Sequence, residues 1–159
     1  MAESPTPDST AGEGITITRV FDAPRERVWR EWIEPQRFAD WFGGGEAEVP
    51  LSSVSMDVRP GGSWRVTMFA EPGPREIHWK GEYREVIVPE RLVFTLSEQP
   101  GEDAYEVITV VLTDLGDGRT EMRFEQRGGL SAEQYRGAEQ GWSTFFDRVA
   151  ERLADAARR

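Results

Sequence analysis

The sequence predicts an α+β fold: a curved antiparallel sheet of seven strands against one long C-terminal helix, with two short helices after the first strand. Three observations predict it. Between residues 53 and 127 apolar side chains recur at every second position, in segments separated by turn signals, which is the period of a strand with one buried face. After Ser131 they recur at spacings of three and four, the period of an amphipathic helix. And "VWREWIEPQRFADWF", residues 28–42, gathers three tryptophans and two phenylalanines in fifteen positions, more ring surface than any exposed loop needs.

Each element follows from its residues. "ITITRVF" (15–21) is β-branched and reads as strand one. In "DAPRERVWREWIE", Pro24 suits a first helical turn, Glu26 complements the helix dipole, and Val28, Trp29, Trp32 and Ile33 share a face. Pro35 ends that helix and starts a second, with Phe38, Trp41 and Phe42 at i, i+3, i+4 until "GGG" (43–45) stops it. "SVSMDVR" (53–59) alternates and "PGG" (60–62) turns the chain into "SWRVTMF" (63–69). "IHWKGEYREVIV" (77–88), "LVFTL" (92–96), "AYEVITVVLTDL" (104–115) and "RTEMRFEQ" (119–126) complete the hairpin succession. Ser131 is an N-cap with Glu133 and Gln134 in the first turn. The stripe Tyr135, Ala138, Trp142, Phe145, Phe146, Val149 and Leu153 follows, with Gly141 placed either for close backbone packing or to leave a gap.

The 159 residues suit one domain, expected over 15–156. "MAESPTPDSTAGEG" (1–14) is too poor in apolar residues to order itself and reads as a disordered tail. A net charge of −10 argues against nucleic acid or an anionic membrane as partner. No apolar run suits membrane insertion, and the tail lacks the basic and apolar regions of a secretory signal. The absence of cysteine removes disulfides and thiolate ligands, and the expectation is a cytoplasmic protein.

Four segments, "ITRVFDAPRERVWREWIEPQRFADWF", "DVRPGGSWRVTM", "GEYREVIVPERLVFT" and "GWSTFFDRVAERLA", occur in the order found in one known group. Through them the chain, from about residue 15 to 156, resembles the small bacterial proteins similar to the C-terminal domain of the heat-shock-protein-90 ATPase activator, within the SRPBCC (START-like) superfamily. The resemblance implies a helix-grip fold whose sheet and C-terminal helix enclose a cavity. It implies a lipid-like, aromatic or polyketide-like ligand there; because the residues form no catalytic constellation, no catalysis and no cofactor are expected. A cyclase, aromatase or hydrolase, or a chaperone-interaction module, are the alternatives it leaves.

The rings decide between a filled core and a pocket. Phase turns Trp64, Val66, Met68, Trp79, Tyr83 and Phe94 to the enclosed side, with Met122 and Phe124 beside them. The long helix adds Tyr135, Trp142 and Phe146. Trp41 and Phe42, next to the glycines, are expected at a cavity entrance, while Trp29, Trp32 and Phe38 seal the sheet end. A dry void of ~300 Å³ would cost roughly 7 kcal/mol, comparable to a domain's whole stability, so rings, water or a ligand must fill the space. These residues are the candidate ligand-binding set. An enzyme would need inward acid–base groups, and Glu85, Tyr83, Tyr135 and Glu139 are the candidates; the Trp79–Tyr83 phase carries Glu85 inward unless a bulge intervenes. His78, the single histidine, falls on the outward phase and has no set of further ligands for zinc, so no metal is expected. Asp57 and Arg59, two apart, are placed to pair.

Overall fold

In the computed structural model the described residues are 14–44, 47–70, 75–99 and 105–157. The chain runs through β1 (Ile15–Phe21), α1 (Arg25–Ile33), α2 (Pro35–Trp41) and a 3-10 turn (Leu51–Ser53). There follow β2 (Ser55–Met56), β3 (Ser63–Ala70), β4 (Arg75–Ile87), β5 (Arg91–Gln99), β6 (Glu106–Asp114), β7 (Thr120–Arg127) and α3 (Ala132–Ala157). The strands form one seven-stranded sheet in the order β1-β7-β6-β5-β4-β3-β2. All neighbours are antiparallel; β1 lies along β7 with Ile17 opposite Phe124. This curved open sheet with the long helix across its inner face is the helix-grip arrangement. The tail expected over 1–14 falls, Gly14 excepted, outside the described residues.

The alternation of the sequence becomes the core. Trp64, Val66 and Met68 of β3, Ile108, Val110 and Leu112 of β6, and Met122 and Phe124 of β7 are all buried on the inner side. There they meet Trp142, Phe146, Val149 and Leu153 of α3. The N-terminus of α3 is a reciprocal capping box: Gln134 N–H donates to Ser131 Oγ (3.1 Å) and Ser131 N–H to Gln134 Oε1 (2.9 Å).

Trp32 is the hub of the aromatic corner. Its ring lies edge-on to Trp41 at 4.9 Å and within 6.3 Å of Phe94, Phe124, Trp142 and Phe146. Such ring pairs add to the burial term when they meet edge-to-face or offset.

Two local expectations are corrected. Segment 53–59 keeps its alternation, half-buried Val54, Met56 and Val58 against exposed Ser55 and Asp57, but ladders only over Ser55–Met56. The Ser53 N–H and hydroxyl both bond the Pro50 carbonyl (2.9 and 2.7 Å), winding a turn where a ladder was expected. In β4 a bulge between Tyr83 and Glu85 shifts the register, so Val86 faces Leu92 on the inner side. Glu85 goes outward, where its carboxylate accepts from Arg91 Nε at 2.7 Å.

Sequence patterning gave no hint of a buried ion pair between helices. Glu31 of α1 is 1% exposed and accepts from Arg152 of α3 at both oxygens (2.7 and 3.3 Å). Arg152 also bonds Asp40 of α2, and Arg37 lies 3.7 Å from Glu31. The pair joins all three helices at the C-terminal end of α3.

Candidate functional site

The space between helices and sheet is not uniform. Among Trp32, Phe38, Met56, Trp64, Tyr83, Leu92 and Phe94 only about 10 Å³ is left, so this part is solid. Under the N-terminal half of α3 lies a cavity of about 490 Å³, within the range of small-molecule sites. Met68, Trp79 and Leu96 wall it from the sheet; Ala138, Trp142 and Phe145 wall it from α3; Phe42, just past α2, closes one side. Exposed Glu98, Tyr105, Gly129 and Gln134 form its rim, and buried Glu106 and Gln126 its polar floor. Gly141 lines it too, and a Cβ placed there meets nothing within 4 Å. That glycine leaves a gap.

The floor is a connected network. Trp142 Nε1 donates to Gln126 Oε1 (2.8 Å), and Gln126 Nε2 donates to Glu106 Oε1 (3.1 Å). Tyr135 Oη donates to the same oxygen at 2.7 Å, and Gly129 N–H reaches Glu106 Oε2 at 3.1 Å. A Cβ on Gly128 would stand 1.8 Å from Glu106 Oε2, so only glycine lets the carboxylate lie against this turn. Burial, then the hydrogen bond to Glu106, push the Tyr135 hydroxyl up to about 12 from its ordinary 10.0. At neutral pH it therefore holds its proton and serves as a donor to Glu106.

The candidate residues divide between wall and core. Phe42, Met68, Trp79 and Trp142 line the cavity, and Tyr135 reaches its floor through Glu106. Trp64, Val66, Tyr83, Phe94, Met122, Phe124 and Phe146 pack in the core, outside that wall. Trp41, placed at the entrance by its glycine neighbours, has no exposed surface and donates Nε1 to the Glu31 carbonyl at 2.9 Å. Trp64 is held in the core by reaching across β4 to the Thr95 carbonyl (2.9 Å), over Gly81, where a Cβ would lie 2.5 Å from the indole nitrogen. Of the acid–base candidates, Glu85 is paired with Arg91, Glu139 is exposed, and burial followed by the Asp57 charge raises the Tyr83 hydroxyl above its ordinary range.

Glu106, Gln126, Leu96 and Phe145 were not among the candidates. A signal existed for the first two: Glu106 is in phase with Ile108, Val110 and Leu112, and Gln126 with Met122 and Phe124. His78 is exposed, with Nδ1 3.1 Å from Thr67 Oγ1 and Nε2 3.0 Å from Glu76. Among the described residues no group of three or more His, Cys, Asp or Glu side chains is placed to hold a metal ion, and no helix is long and apolar enough to cross a membrane. Asp57 and Arg59 pair at 2.9 Å beside the Pro60 turn.

The sequence profile of the family described as "Activator of Hsp90 ATPase homolog 1-like protein" matches residues 22–154. The chain belongs to this family. This activator-like chain shares its fold with a Chromobacterium violaceum protein, CV1439, at TM-score 0.79 and 24% identity over 89% of this chain and 96% of that one. The AHSA1 protein of Silicibacter pomeroyi gives TM-score 0.78 at 19% identity, over 89% and 97%. The NE0264 protein of Nitrosomonas europaea gives 0.74 at 21%, over 92% and 97%. At these identities the likeness is one of fold. Among curated proteins none matches the activator-like chain.

Proposed function

We propose that this activator-like protein is a receptor for a small, largely apolar molecule, held between the sheet and the N-terminal half of α3 without being chemically changed. The observation that carries the reading is the cavity of about 490 Å³, walled by rings and aliphatic groups, in a molecule whose neighbouring core is filled to about 10 Å³. A guest covering roughly 100 Å² of such wall gains about 2.5 kcal/mol from the area alone. The floor supports binding better than turnover, because Tyr135 keeps its proton and Glu106 is already engaged by three donors.

Thermal-shift and native-mass measurements on the full chain, against aromatic, sterol-like and acyl compounds, test this. A binder is expected to raise Tm in proportion to log concentration, and Gly141→Leu, which fills the gap, is expected to abolish the rise. A broad panel without any shift would remove the receptor reading. The family description also names the Hsp90 ATPase; micromolar binding to that chaperone, unaffected by Gly141→Leu, would favour a protein-interaction role in its place.

A further inference from the structure

We infer that the molecule this cavity selects carries a positive charge: an ammonium head on an apolar, ring-sized body. The inference rests on the receptor reading above and adds the chemistry of the guest. It comes from comparing two buried acids. Glu31, 1% exposed, has Arg152 on both its oxygens and Arg37 at 3.7 Å. Glu106, 8% exposed, has among the described residues only neutral donors: Gln126, Tyr135 and the Gly129 N–H. Buried acids are ordinarily balanced by a cation, because a lone charge away from water is costly. The acid that lacks one is the acid that lines the cavity.

Its geometry leaves a place for the missing partner. Oε1 accepts from two donors but Oε2 from one, and each carboxylate oxygen can take two. All three described hydrogen-bond partners of Glu106 donate to it, and a ligand group at the open position of Oε2 donates likewise. The rest of the wall agrees in sign. Its other charged residue is Glu98, and among the described lining residues there is no lysine, arginine or histidine. The basic groups Arg65, Lys80 and Arg84 line a separate groove that shares only Ser97 and Tyr105 with this cavity. Arg84 takes the rim residue Tyr105 from that groove, at 5.0 Å from its ring and 2.8 Å from its hydroxyl, so the cation site is the floor and the inner rings. Phe42, Trp79, Trp142 and Phe145 supply further ring faces, and rings attract a desolvated cation.

The test is isothermal titration calorimetry of the full chain with three compounds of one shape: 2-(aminomethyl)naphthalene, protonated at pH 7, 2-ethylnaphthalene, and 2-naphthoate. The ammonium compound is expected to bind about tenfold or more tighter than its ethyl counterpart, with the carboxylate weakest. Glu106→Gln is expected to erase that preference while the ethyl compound keeps its affinity. Glu98→Gln, at the exposed rim, is expected to weaken the ammonium compound about two- to threefold and serves if the floor variant does not fold. Equal or tighter binding of 2-ethylnaphthalene by the unaltered protein would overturn the cationic guest and leave the apolar receptor standing. Failure of all three compounds would overturn the cationic, ring-sized guest, while the receptor reading falls only if the broader panel also gives no shift.

Discussion

The two ends of α3 solve the same packing problem in opposite ways. At the C-terminal end Val149 and Leu153 are buried, and the Glu31–Arg152–Asp40 cluster ties the three helices together. At the N-terminal end the same helix presents Ala138 and Gly141 to a cavity, and its buried acid is held by neutral donors. At one end the buried acid is met by cations, and the groove of about 500 Å³ beside it is lined by charged side chains. At the other the opening is walled by apolar groups and its buried acid is met by neutral donors. The difference shows that the opening is a property of particular residues. A fold of this kind does not require an apolar opening, because a few turns along α3 Val149 and Leu153 are buried and the groove that remains is charged.

The strongest way to break the comparison is to truncate one ring in the solid core and one at the cavity wall. Phe124 has no exposed surface and lies 5.2 Å from Phe146, so Phe124→Ala should lower the unfolding free energy by about 3–5 kcal/mol in urea titration. Phe145 borders the cavity and is half-buried; Phe145→Ala should cost about half as much, since one side of the ring has little protein to lose. Equal costs would mean that the core and the cavity wall are packed alike. Next in size is the ion pair. Arg152→Met leaves the Glu31 carboxylate, at 2% side-chain exposure, with only the more distant Arg37 as cation among the described residues and should cost about 3 kcal/mol, while adding Glu31→Leu should recover most of it.

Smaller again is the floor of the cavity. Tyr135→Phe takes one of three donors from Glu106 and should cost about 1–2 kcal/mol. Its pH signature is more specific. The hydroxyl ionises at about 12 in the folded chain against about 10 when unfolded. Its contribution is therefore complete below about pH 10 and is lost as pH rises toward 12. Alkaline unfolding should be less steep in Tyr135→Phe than in the unaltered chain, with the slope that remains coming from Tyr83, raised in the same direction. An unchanged slope would show that the Tyr135 hydroxyl is neither buried nor held by Glu106.

Much of this was legible in the residues. Period two and period 3.6 set out the strands and α3, and four quoted segments pointed to the family whose profile matches residues 22–154. The cavity was harder to read because phase reports only which side a ring faces, and the inner side contains both the solid core and the opening. Trp64 and Trp79 share an inward phase, yet one spans β4 to Thr95 and the other stands at the wall. Glu106 was masked by apolar neighbours on both faces of its strand, Val107 and Val111 among them. Glu31 was masked by charged neighbours in "RERVWREWIE", where nothing local distinguishes the acid that meets Arg152, 121 residues away.

The smallest expected effect is also the sharpest probe of the open end, because its sign is opposite to the rest. Gly141 sits inside α3 and lines the cavity, with open space where a Cβ would stand. Alanine there removes backbone freedom from the unfolded chain and improves helix propensity, so Gly141→Ala should stabilise the protein by about 1 kcal/mol. A packed helix–sheet contact at this position would give the reverse, since the added methyl would collide with its neighbour. Thermal or urea unfolding of this one variant thus separates the two accounts of the N-terminal half of α3: a gain in stability means that the gap beside residue 141 exists in solution, and a loss means that the end closes as its counterpart does.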